Sequence, residues 1–130
     1  MMKRFFMVVL GTSVVAALAL LHQPEVQAED AKCGEKGQPH CPLQDWMEKN
    51  VQDPLDKDDL KTVAASLEKA AGFAPDPKWN EGPTGWSKLA KDGAAAAKAG
   101  NMDATKDSCK ACHKAWRSKY KKEHRPKALP

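Results

Sequence analysis

Past residue 28 the sequence contains no long apolar run, no segment alternating apolar and polar residues at strand period, no internal repeat and no low-complexity tract. The first absence excludes a membrane span from that part of the chain, because a helical span takes about 20 apolar residues. The second argues against any sheet-based class, and the third against repeat architectures. A dominant charge is also missing. The 21 Lys and Arg against 17 Asp and Glu leave a net +4, too mild a balance to point to nucleic acid.

The one long apolar stretch comes first. Lys3 and Arg4 precede Phe5 to Leu21, and Val26-Gln27-Ala28 forms a small-residue site. This is the layout of a secretory signal peptide, residues 1–28, cleaved after Ala28. An uncleaved anchor is the alternative, but a stretch containing Gly11, Thr12 and Ser13 is short for a span. Residues 29–130 are then one exported domain, carrying +3 once Lys3, Arg4 and Glu25 are removed.

The most informative feature is Cys109-Lys110-Ala111-Cys112-His113. Two cysteines three apart, followed at once by histidine, are what covalent c-type haem attachment requires. The thiols add to the two haem vinyl groups, and the adjacent imidazole coordinates the iron from one face. On a helix the positions i, i+3 and i+4 share one side, so all three groups can meet one flat porphyrin. A dithiol redox pair would need a βαβ setting, and no strand is legible. A zinc site would need two further ligands, which Cys33, His40 and Cys41 are placed to offer. Haem attachment agrees with export to the periplasm. Outside the motif, Cys33 and Cys41 form an even pair in an oxidising compartment, which favours a disulfide. A second haem site there is discounted, since no histidine follows Cys41.

The rest of the chain reads as all-α. Residues 29–41 are polar and rich in Gly and Pro. A short helix is expected from Pro42 to about Gln52, with Leu43, Met47 and Val51 on one face, stopped at Asp53-Pro54. Asp56 or Asp58 is expected to cap the next helix, whose stripe is Leu60, Val63, Ala64, Leu67 and Ala71, with Gly72 as C-cap. Residues 73–83 form a proline-rich connection anchored by Trp79. A third helix over about 84–99 buries Trp86, Leu89, Ala90, Gly93, Ala94 and Ala97 and ends at Gly100. Its small residues either admit a close neighbour or are simply good helix formers. Asn101 or Asp103 caps the last helix, which carries the haem motif to about Glu123. Short connections favour an antiparallel up-down four-helix bundle.

A haem motif on the last of four helices resembles the class II c-type cytochromes, the cytochrome c′ family. The resemblance extends over residues 29–130 in layout and is specific around residues 109–120. It matches Cys109 and Cys112 to the thioether cysteines, His113 to the proximal iron ligand, and Arg117 to a basic residue near a haem propionate. A solvated surface charge is the other reading of Arg117. Trp116 stands where the family usually has tyrosine and keeps the packing role. The short first helix and the Cys33/Cys41 pair depart from the family's pattern. Members often pair through their helices, so a homodimer is among the associations implied.

The family divides into members with an open sixth position, which bind small gases, and members with a methionine ligand on the first helix, which carry electrons. Met47 lies on the inner face of the first helix, and methionine opposite histidine raises the reduction potential of haem. Met47 as core filler and His40 as the sixth ligand are the alternatives. Met102, on the same helix as His113, cannot reach the opposite haem face, and His124 lies too far beyond the motif. Residues 45–59 hold six acids against two lysines, whereas 110–127 hold eight bases against Glu123. Such a basic face steers acidic redox partner proteins; it is also what a solvated helix face looks like. The expectation is a periplasmic monohaem electron carrier with one haem c, and not an enzyme. A gas-binding haem protein and a zinc-stabilised domain are the alternatives.

Overall fold

The computed structural model describes residues 32–130; the leader assigned to residues 1–28 lies outside them. Among the described residues the chain is helical and has no strand, in line with the all-α expectation. No described helix is long and apolar enough to cross a membrane.

Helix α1 covers residues 42–56 in three pieces. It is α-helical over Pro42–Met47, makes a π-helical turn over Glu48–Gln52, and is α-helical again over Asp53–Asp56. The expectation of a short first helix ended by Asp53-Pro54 is therefore corrected. Leu43, Met47, Val51 and Leu55 recur every four residues, and on a helix of 3.6 residues per turn such a stripe drifts by about 40° at each step. The extra residue of a π turn takes up roughly 100° of that drift. The turn also widens the ladder where the Pro54 ring would otherwise meet the Asn50 carbonyl. Pro54 then falls in the first turn of the renewed α segment, where a missing N–H is tolerated. Beside the widened turn, the Asn50 side-chain amide donates to the Trp46 carbonyl at 2.9 Å.

Helix α2 is Leu60–Ala70. Its cap is Asp59 rather than Asp56 or Asp58. The Asp59 carboxylate accepts from the Thr62 N–H at 3.1 Å and from the Thr62 hydroxyl at 2.6 Å. Asp58 is used in the turn itself, with a left-handed backbone at φ 57°. At the far end the C-cap is Ala71 rather than Gly72. The last turn tightens there, the Gly72 N–H donating to the Lys69 carbonyl at 3.0 Å. The connection that follows contains a 3₁₀ turn, Pro77–Asn80, which buries Trp79 to 2 % exposure, the anchor expected of it.

Helix α3 is Trp86–Lys98, and its six-residue stripe from Trp86 to Ala97 is buried as expected. A Cβ placed on Gly93 would lie 3.0 Å from Leu67 Cδ1 and 3.1 Å from Ser108 Oγ. Neighbouring helices thus press on α3 from two sides, and its small residues serve that approach. Gly100 (φ +72°) turns the chain. Asn101 caps helix α4, accepting from the Ala104 N–H at 3.0 Å. Helix α4 covers residues 102–123: α-helix over Met102–Cys112, a π turn over His113–Arg117, and α-helix over Ser118–Glu123.

Side-chain hydrogen bonds fasten the rods. Trp86 Nε1 donates to the Ala70 carbonyl at 2.8 Å, Ser108 Oγ to the Leu89 carbonyl at 2.7 Å, and Trp116 Nε1 to the Thr84 carbonyl at 2.8 Å. Helix α2 packs along α3, and α3 along the first half of α4, while α1 leans on α2. The first and last helices do not pack closely on one another, and that gap positions the site.

Cys33 and Cys41 are joined as a disulfide with Cα atoms 5.0 Å apart, as expected. The loop they close is tied to the chain beyond α4 by an ion pair between Glu35 and Arg125 at 2.5 Å. Replacing both cysteines with serine is expected to lower the unfolding free energy by about 2–3 kcal/mol, the value for closing so short a loop. Urea denaturation measures it; an unchanged midpoint would show that the bond does not restrain the unfolded chain.

Candidate functional site

The gap between α1 and α4 is a cavity of about 530 Å³, within the size range of cofactor sites. Leu43, Met47, Val51 and Leu55 line it from α1, and Trp86, Leu89 and Ala90 close it from α3. Helix α4 contributes Cys109, Cys112, His113, Trp116, Arg117 and Tyr120. All six residues singled out from the sequence, Met47, Cys109, Cys112, His113, Trp116 and Arg117, therefore face one space.

Helical spacing explains the α4 wall. Cys109, Cys112 and His113 stand at i, i+3 and i+4, and their side chains meet on one face. Both thiols are free and partly buried. Burial pushes the Cys109 thiol up, and it pushes Cys112 up to about 11, with the neighbouring Cys109 adding to the effect. His113 is shifted the other way, first by burial and then by the Arg117 charge. Both effects disfavour the imidazolium and keep the neutral imidazole, the form that ligates metal.

The shifts bear on the rival chemistries. Reactive dithiol pairs have lowered thiol pKa values, sitting at helix N-termini or beside cations. Here the pair lies inside a long helix and is shifted upward. A structural zinc site takes four ligands. With Cys33 and Cys41 bonded to each other, those thiols are not available, and among the described residues no three His, Cys, Asp or Glu side chains are grouped to hold a metal ion.

Two π turns mark this cavity. The one in α1 begins directly after Met47, and the one in α4 begins at His113. Single π turns inside α-helices occur frequently at functional sites. Sequence reasoning did not find them. The signal present was the four-residue spacing on both walls, Leu43-Met47-Val51-Leu55 and Cys109-His113-Arg117-Lys121.

His40 is not part of the lining. Its Nδ1 pairs with Glu48 at 2.7 Å, and Glu48 is itself a lining residue. Met102 packs into the core with Val51 and Val63, and His124 sits against the rings of Trp79 and Tyr120. Neither lines the cavity. Trp116 stacks on Trp79 with ring centroids 4.7 Å apart at 17°, so its packing role is met by a specific partner. Lys121 and Arg125 also line the rim, and the sequence reading passed over both.

The lining fits a haem in three respects. It is mostly apolar and lies between two separated helices. It offers two thiols and an imidazole on one wall and a thioether on the other. Its cations, Arg117, Lys121 and Arg125, lie on the C-terminal side of His113. Comparison of the chain with protein-family models, with curated proteins and with solved structures found no match.

Proposed function

We propose that this chain is a monohaem c-type cytochrome that carries single electrons in the periplasm. Cys109 and Cys112 would hold the haem through thioethers, and His113 and Met47 would be the ligands to its iron. Its helices form an antiparallel four-helix bundle of the class II type. The observation that carries this reading is the meeting of both thiols, the imidazole and the Met47 thioether on one apolar cavity, with each candidate iron ligand beside a π turn.

The haem would supply the one-electron change between ferric and ferrous iron. The protein's own groups do the rest. The neutral His113 imidazole is held in ligand form by burial and by Arg117. Leu43, Val51 and Leu55 make the α1 wall apolar, and Trp116 is fixed by its stacking on Trp79 and its bond to the Thr84 carbonyl. Nothing in the scheme transforms a substrate, so the protein is a carrier rather than an enzyme. The bases between Lys110 and Lys127 would steer acidic redox partners toward this end.

The test is retention of the pigment. Protein expressed in cells competent for cytochrome maturation is expected to keep its haem through acid–acetone extraction and to show a mature mass above that of the polypeptide by one haem. Haem that washes out, or a mass equal to the bare chain, would overturn the reading.

A further inference from the structure

Arg125 is an unusual rim residue. It lies just past the end of α4, its side chain is 20 % exposed, and it lines the cavity. The disulfide loop holds it there from outside. Glu35 pairs with Nη1 at 2.5 Å, and the backbone of Gly34 is pressed against the guanidinium. A Cβ on Gly34 would fall 2.7 Å from Nη2, 2.9 Å from Nε and 2.9 Å from Cys41 Sγ. The loop is therefore built around this guanidinium, with glycine required by the contact and by φ +74°. Arg125 and then Lys121 hold the Glu35 carboxyl below the usual carboxylate range.

We propose that Arg125, presented by the Cys33–Cys41 loop, binds a haem propionate at the cavity rim. This rests on the haem reading. The two vinyl groups of haem lie on the edge opposite its two propionates, so the propionates of a haem attached through Cys109 and Cys112 would emerge away from those cysteines. The cations lining the cavity are Arg117, Lys121 and Arg125, all beyond His113 in the chain. A planar guanidinium suits a carboxylate better than an ammonium does. Glu35 already occupies part of Arg125, so a propionate there shares the guanidinium with a competing carboxylate of the loop.

This sharing gives two variants of opposite sign. Glu35 pairs directly with Arg125, and the other charged groups that line the same cavity are Arg117 and Lys121 of α4 and Glu48 of α1. An ionised propionate favours ferric iron, so the reduction potential falls as pH rises through the propionate titration. Arg125→Gln removes a cation from the carboxylate and is expected to move that fall to higher pH by about one unit, the lower end of what a nearby opposite charge produces. Glu35→Gln removes the competitor and is expected to move it to lower pH, while Arg125→Lys restores most of the wild-type profile. Holoprotein potentiometry against pH reads all three.

A purely structural tie between loop and C-terminus predicts something else: both variants lose thermal stability, and neither moves the pH profile, or both move it the same way. Either result overturns the proposal. Protein that carries no covalent haem would instead sink the reading beneath it, and the extraction test shows that before any potential is measured.

Discussion

Trp79→Ala is expected to lower the unfolding free energy by about 3–5 kcal/mol, the range for truncating a buried tryptophan. Trp79 is 2 % exposed although it sits in a 3₁₀ turn of a connecting segment rather than in a helix. Its ring stacks on Trp116, meets Trp86 at 6.1 Å between centroids, and presents an edge to Tyr120 at 6.5 Å. The Lys119 ammonium lies 4.7 Å above it. Trp86, Trp116 and Tyr120 are themselves cavity wall. Removing Trp79 thus takes away apolar burial, aromatic contacts worth about 0.5–1.5 kcal/mol each, and the support behind one side of the site. Urea denaturation should show the midpoint falling with little change in slope. Trp79→Phe, which keeps a ring in place, should recover much of the loss. A cost below about 1 kcal/mol for the alanine variant would show that the connection is not an anchor.

That anchor was legible in the sequence, because a lone tryptophan among three prolines has few places to go except into the core. The α3 stripe was legible for a different reason. Its spacing is regular from Trp86 to Ala97, and all six positions are buried. Helix α1 was misread because the rule used at Asp53-Pro54 is local, whereas the outcome is tertiary. Val51 and Leu55, on either side of Pro54, are both buried at 8 % exposure, and their burial favours a continuous rod over a break. A π turn reconciles the two demands. The caps show the same limit: among Asp56, Asp58 and Asp59 the residue type cannot choose, and the left-handed backbone at Asp58 does.

Part of the cavity lining was legible as well. The periodicity of α1 and α4 brings Met47, Cys109, Cys112, His113, Trp116 and Arg117 to one cavity. Arg125 was not legible, since it lies beyond the helix and reaches the rim only through the disulfide loop. No local pattern connects Glu35 to a residue 90 positions away. The pairing depends on closing the Cys33–Cys41 loop and folding the last helix back beside it.

Under the proposed ligation, replacing Met47 changes the iron's chemistry more than the protein's stability. Met47 lines the cavity and touches the apolar clusters at both ends of the core, so Met47→Ala alone would mix a lost ligand with a lost volume. Met47→Leu conserves volume and is expected to cost under about 1.5 kcal/mol of stability. Both variants should lose the weak far-red band of sulfur–iron charge transfer, and both should bind carbon monoxide where the wild type does not. Their reduction potential should fall by on the order of 0.1–0.2 V, a fraction of the ~0.8 V that axial ligands command. The sign follows from the thioether, which stabilises ferrous over ferric iron and is absent from leucine and alanine. Met102→Leu, in a core position away from the cavity, should change none of these readings. If Met47 is core filler instead, the leucine variant should match the wild type in spectrum and potential. Wild-type protein that is high-spin and already binds carbon monoxide would place the function with gas binding, and electron transfer through a closed six-coordinate iron would have to be abandoned.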